Sequence, residues 1–404
     1  MRRLVLNFLL TTCFISTTAA DETQPIPKPF ASGDYFHLRS GLENSRLRFQ
    51  RDHVGRVAFL GGSITQMDPG WRSMTCDELS RRFPDTKFEF VNAGISSTDS
   101  TLGPHRLVRD VFTRGRVDLL FVEFAVNDHH NTRNEVERVR GMEGIIRQAR
   151  HHNPAIDVVM LYFVEPDKIE QINRGEVPPE IASHEEVARH YGIPVIDLAR
   201  EVTARINAEQ ITWQEFGGLH PGPPGHKLYA ASIARLFDAA WAKPIEPGAD
   251  LTIRDQLPEP LDPKNYERAR LVGLDQAILV AGWKHVDCWH SDDPAGKRKG
   301  FHDVPMLIAE EPGAILKLHF SGTAVGLLVA AGPDVGVLEF SINGGPYRSI
   351  DQFTQWSERL HIPWAYMLDA DLPYGEHELV LRTTANKNEK STGHAARIVA
   401  FMAN

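Results

Sequence analysis

Cysteine is scarce in this chain: three in 404 residues, at positions 13, 76 and 288. That excludes a disulfide framework, and Cys76 and Cys288 are expected as free, buried thiols in different domains. Long apolar runs are missing too. After residue 20 no segment approaches the ~20 apolar residues that a membrane span requires. An excess of basic charge is also absent. The formal net charge is −9, and it becomes −11 once Arg2 and Arg3 are removed. With no basic stripe, the composition speaks against nucleic acid and against anionic membrane as partners. There is no internal repeat and no low-complexity tract.

What is present is ordinary globular composition, 42% hydrophobic and 24% charged, in a chain long enough for two domains. Residues 1–20 have a short basic start, an apolar threonine-rich middle and small residues at the end. They predict a secretory signal peptide cut after Ala20, hence an exported, periplasmic or extracellular protein. A membrane anchor fits less well because the run is short, and a lipoprotein signal at Cys13 fits less well again. Residues 21–53 read as an irregular lead-in. From 54 to 242, short β-like runs alternate with helix-like ones: RVAFL, then WRSMTCDELSRRF, KFEFVNAG, a helix after Pro104, VDLLFVEFAVND as one continuous strand, and so on to the helix PPGHKLYAASIARLFDAAWA. Such alternation predicts a parallel sheet covered by helices on both faces. Residues 243–263 are proline-rich and aperiodic, a linker. From 264 to 404, short alternating runs separated by Gly, Pro, Asn and Asp predict an antiparallel β-sandwich. The linker suggests that this second unit is separable, so a chain ending near Trp241 is expected to keep activity on small substrates.

In open parallel sheets, reactive groups gather at the carboxyl ends of the strands. After the first strand comes Gly61-Gly62-Ser63, after the second Asn92-Ala93-Gly94, and after the third Ala125-Val126-Asn127-Asp128. Leu219-His220-Pro221 lies just before the last helix. A hydroxyl, an imidazole, a glycine amide and a carboxamide are the parts of acyl transfer. Serine needs a base, which His220 supplies near neutral pH. The oxyanion needs donors, which the Ser63 and Gly94 N–H groups and the Asn127 side chain supply.

These four blocks, in this order, resemble the SGNH (GDSL-like) hydrolases over residues 54–241. The resemblance implies a flavodoxin-like three-layer fold, ester hydrolysis through an acyl-enzyme, and the stated roles for Ser63, Gly94, Asn127 and His220. One position departs from the family pattern. Where an aspartate usually stands three residues before the histidine there is Gly217. Glu215 is the nearest substitute acid; without it, Ser63 and His220 form a dyad.

Other features have plainer readings. Gly61-Gly62 lacks the Gly-Lys-Ser/Thr of a phosphate loop. His226 at the start of the last helix reads as structural. The neighbours His129-His130 and His151-His152 diverge on a strand or a helix, so no metal and no cofactor are expected. Trp71, Trp213, Trp283, Trp289, Trp356 and Trp364 include rings suited to stacking on sugars, although core packing explains at least half of them. The layout resembles exported SGNH enzymes that deacetylate polysaccharides, which makes a carbohydrate ester the expected substrate. A lipase or lysophospholipase, or a silent sugar-binding protein, are the alternatives. Oligomeric state is not legible in the sequence.

Overall fold

The structure, a computed structural model, describes residues 35–404, so the expected signal peptide lies outside the described residues. Its first sheet has strands β1 (Phe36–His37), β2 (Val54–Gly61), β3 (Lys87–Gly94), β4 (Leu119–Val122), β5 (Asp157–Leu161) and β6 (Val195–Ile196). The spatial order is β1-β6-β5-β4-β2-β3. All neighbours are parallel except β1, which pairs antiparallel with β6. Counted from β2, this is the flavodoxin-like order, whose direction reverses between β2 and β4. Both β4 and β5 are buried at every residue, as strands covered on both faces must be.

The helices are α1 (Glu43–Gln50), α2 (Ser63–Gln66), α3 (Trp71–Arg82), α4 (Leu102–Leu107), α5 (Ala125–His130), α6 (Glu135–His152), α7 (Pro166–Asn173), α8 (Pro179–His190), α9 (Leu198–Asn207), α10 (Trp213–Phe216) and α11 (Pro223–Ala240). A π-helical turn, Val108–Phe112, extends α4. The longest of them show why they form. In α6, Met142, Ile145, Ile146 and Ala149 recur at helical spacing and are fully buried. Asn134 accepts from the Glu137 amide at 3.0 Å while Glu137 accepts from the Asn134 amide at 3.0 Å, a reciprocal cap. Arg150, His151 and His152 close the other end, where positive charge is favoured.

Three expectations are corrected here. The run VDLLFVEFAVND is not one strand: β4 stops at Val122 and α5 starts at Ala125. The intervening Glu123 turns inward to accept from Gly62 and Thr65 in the turn after β2, which ends the extended run. Within the lead-in, the described part is ordered: α1 buries Leu47 and Phe49. Cys76 and Cys288 are both free, but only Cys76 is buried; Cys288 faces outward on a strand at the end of its sheet.

The second unit has β7 (Arg270–Val272), β8 (Ala277–Ala281), β9 (Lys284–Trp289), β10 (Gly296–Lys297), β11 (Val304–Ala309), β12 (Ile315–Gly322), β13 (Val325–Ala331), β14 (Val337–Ile342), β15 (Arg348–Asp351), β16 (Leu360–Asp369), β17 (Gly375–Thr383) and β18 (Ala396–Ala403). One sheet runs β10-β16-β13-β18-β11-β9 with β7 beside β18; the other runs β15-β14-β17-β12-β8. Leu316, Leu318, Leu338, Leu379 and Leu381 of one sheet meet Leu327, Val329, Ile398 and Phe401 of the other in a common core. Residues 243–263 form neither helix nor strand. They lie along the first unit, with the Thr252 amide donating to Asn44 Oδ1 at 2.7 Å and the Leu261 amide to Glu143 Oε1 at 2.6 Å.

The two units meet over polar and apolar contacts. Arg133 donates to the Ala365 carbonyl at 2.8 Å and to Asp99 at 2.8 Å. Arg140 joins Asp262 at 2.7 Å and Asp371 at 2.9 Å. Leu102 of α4 sits in one apolar cluster with Phe301, Leu328, Ala365 and Met402.

Candidate active site

Four elements of the α/β unit converge where the strand order reverses. Ser63 is the first residue of α2, directly after β2. Its amide therefore has no intrahelical acceptor and points out of the helix start. Its Oγ lies 2.8 Å from His220 Nε2. Asn127, in the first turn of α5 after β4, is partly exposed, and its carboxamide lies against Gly62. Ser63, His220 and Asn127 thus lie together.

The paired glycines before Ser63 have a steric reason. A Cβ on Gly61 would run into the Glu123 carboxylate and the Thr65 hydroxyl, and one on Gly62 would overlap the Asn127 carboxamide. Neither glycine has a positive φ, so close approach alone demands them. Gly94 is paired with Gly61 at the end of β3, and a Cβ there would strike the backbone of Thr65 and Gln66. Its amide donates to Asn92 Oδ1 at 3.0 Å. In this arrangement Gly94 lies beside the nucleophile turn, with its N–H held by Asn92.

Glu215 is not brought to the imidazole. Its carboxylate accepts from the Thr212 amide and hydroxyl, both at 2.8 Å, and closes the cap of α10. Those bonds hold it below the usual carboxylate range. Among the described residues no carboxylate is hydrogen-bonded to His220. Gly217 and Gly218 turn the chain between α10 and His220 with φ of 103° and 83°. Burial, then the nearby Arg298 guanidinium, then His130, push His220 below the ordinary histidine value. The imidazole is therefore neutral near pH 7, the form that accepts a proton.

Several supporting residues gave no recognisable signal in the sequence. Glu123, fully buried, accepts from the Gly62 amide at 2.8 Å and the Thr65 hydroxyl at 2.6 Å. Burial raises it to about 7, against the pull of those two bonds. Arg106, also buried, donates to the Ala93 carbonyl at 2.7 Å and the Gly61 carbonyl at 3.0 Å, tying together the ends of β2 and β3. Asp128 accepts from the Ser100 amide at 2.9 Å and meets His184 Nε2 at 2.7 Å, which fixes α5 and with it Asn127. A lone charged residue in an apolar run is visible in sequence, but its partners are not.

The second unit reaches the site. Gln355 donates to the His130 carbonyl at 2.6 Å, and the Trp356 ring lies edge-on to His130, 6.2 Å between centroids. Of the six tryptophans singled out, Trp71, Trp283 and Trp289 are buried, while Trp213 and Trp364 are partly buried against the cores. Trp356 is 41% exposed. His129 faces Asp167 at 2.9 Å and Glu180 at 3.5 Å, and His130 faces Glu165 at 2.9 Å. His226 accepts from the Trp71 amide at 3.1 Å, a structural role.

A flavodoxin-like sheet thus brings a serine and a histidine into contact at its switch point, the pair of groups that acyl transfer uses. Residues 59–228 match the model of the GDSL-like lipase/acylhydrolase family. No curated protein matches it in sequence. Two solved structures share its two-unit architecture, both of a two-domain esterase (CEX) active on acetylated mannans. One, co-crystallised with mannopentaose, is 21% identical over 87% of this chain and 90% of that one, with a TM-score of 0.69. The other is 20% identical over 91% and 96%, with a TM-score of 0.72. At these identities the likeness is one of fold.

Proposed function

We propose that this protein is a serine esterase that removes O-acetyl groups from a carbohydrate. The observation that carries the reading is the 2.8 Å contact between Ser63 Oγ and His220 Nε2 beside the Asn127 carboxamide. In the first half-reaction His220 takes the Ser63 proton as Oγ bonds to the acetyl carbon. The oxyanion is met by the Ser63 N–H and Asn127 Nδ2, and by the Gly94 N–H once Asn92 releases it. The C–O bond to the sugar breaks, and His220 protonates the departing hydroxyl. Water, deprotonated by His220, then attacks the acetyl-enzyme and frees acetate. Among the described residues no carboxylate is hydrogen-bonded to the imidazole, so its orientation falls to packing and the reading is a dyad.

The carbohydrate part rests on two supports: the exposed Trp356, which lies against His130 at the end of the helix that carries Asn127, and likeness over most of the chain to an esterase described as active on acetylated mannans. Export, expected from residues 1–20, would put such an enzyme where polysaccharides are. Purified protein should release acetate from acetylated mannan or another acetylated polysaccharide, and Ser63→Ala should abolish release while leaving the fold intact. A preference for long acyl chains would make it a lipase-type hydrolase instead. No turnover even of a small aryl acetate would leave a silent sugar-binding protein.

A further inference from the structure

The loop between β9 and β11, residues 290–303, begins and ends on donor atoms that the ester chemistry does not use. His290, His302 and Asp303 each bring one ligand-type atom within 4.8 Å of the others. Asp303 Oδ1 lies 3.1 Å from His290 Nδ1, and Asp303 Oδ2 lies 2.8 Å from His302 Nδ1. The two imidazoles face each other with centroids 4.6 Å apart. The second nitrogen of His290, Nε2, meets Asp292 Oδ1 at 3.0 Å. The Ser291 amide is 3.5 Å from His302 Nε2, too long to fix that ring's tautomer. The base of the loop is closed by the Asp303 amide on the Trp289 carbonyl at 2.8 Å.

We propose that His290, His302 and Asp303 form a binding site for a divalent transition metal of the zinc class, with Asp292 orienting His290. Two imidazoles and one carboxylate suit zinc, whereas calcium and magnesium prefer all-oxygen sites. Donors around a tetrahedral zinc at ~2.0–2.2 Å stand about 3.4 Å apart; the two imidazole–carboxylate spacings are a little shorter than that, and one donor atom from each of the three residues lies within 4.8 Å of the others. A carboxylate on the far nitrogen of a ligating histidine is the usual outer-sphere partner. Water completes the shell, since His290 and Asp303 are open to solvent. The site departs from the expectation of no metal, which weighed only adjacent histidine pairs; these two histidines are separated in sequence and meet because the hairpin closes.

The bland reading of the same contacts is a set of imidazole–carboxylate hydrogen bonds. Titration separates the two. The full-length protein, stripped with a chelator, is titrated with Zn²⁺ by calorimetry in two buffers of different ionisation heat, and with Co²⁺ by visible absorption. A single ion should bind, with release of protons, because the ligands must be deprotonated. His290→Ala and His302→Ala should each weaken binding by at least about tenfold. Ser63→Ala and Cys288→Ser should leave it unchanged, and excess Ca²⁺ should not compete. Since His290 is exposed, its loss should not unfold the protein, which a thermal melt in chelator would verify. Absence of binding by the wild-type protein, or undiminished binding after both histidines are replaced, overturns the proposal.

Discussion

At the scale of single residues, the site reduces to what each side chain can reach. Asn127 carries a carboxamide with no protein partner among the described residues, so Asn127→Ala should cost the chemical rate about 10²–10³ with little effect on folding. Comparison of kcat with KM checks this, because a pure binding role would move KM alone. Glu215 is spoken for by Thr212, so Glu215→Gln should leave kcat nearly unchanged. Nor does Gly217→Asp supply the family's acid: a Cβ there would overlap the Gly222 backbone, and its φ of 103° disfavours any side chain. That variant should lose activity or stability rather than gain rate. Arg298 lowers His220, and the reaction needs His220 neutral. Arg298→Gln should therefore move the acid limb of the kcat/KM profile to higher pH, slowing the enzyme below neutrality and not above it. Ser63 and His220 stood out in the sequence because Gly62 precedes one and Pro221 follows the other, and Asn127 because Asn-Asp interrupts an apolar run. The lack of an acid partner was half legible: Gly217 announced the gap, but only the left-handed turn shows that it cannot be filled from that position.

The elements that hold these residues follow a different logic. β2 and α2 meet in a turn whose amide and hydroxyl donors converge on one buried carboxylate, Glu123. Because Glu123 is raised to about 7 from an ordinary value of 4.5, the folded state holds its proton more tightly than the unfolded chain does. Its contribution is fully present below the ordinary value and is lost as pH rises from about 4.5 to about 7. Glu123→Gln should remove that slope, which urea midpoints measured across the window would reveal. Sequence periodicity found β2, β3, α3, α6 and α11 because each repeats its apolar spacing over at least two turns or strand pairs. It ran β4 into α5 because Phe124 and Val126 are as apolar as the strand itself. Only the inward turn of Glu123 marks the boundary, and that depends on a loop about sixty residues away. Short elements such as α10 and β10 had too few residues to display a period.

For the whole molecule, the junction of the two units decides how far they can be treated apart. Removing the chain after Trp241 would expose Leu102, take the Ala365 carbonyl from Arg133, which keeps Asp99, and take both Asp262 and Asp371 from Arg140. Each charge-assisted hydrogen bond lost this way is worth about 1.5–3 kcal/mol when buried and less once water reaches the group. The truncated chain should therefore melt at lower temperature and lose activity on small aryl acetates along with polymers, contrary to the separable module that the proline-rich stretch suggested. Parallel assays of both substrates, with a thermal melt, measure this. Proline content marks an irregular segment but not whether that segment is pinned, and 243–263 is pinned. The junction has one more consequence. Trp356, Gln355 and Arg298 approach the site from a part of the chain that carries none of the reacting atoms. On the proposed function, editing Trp356 or Gln355 can retune substrate preference while Ser63 and His220 stay untouched, whereas editing Arg298 reaches the base itself, so only part of the second unit evolves independently of catalysis.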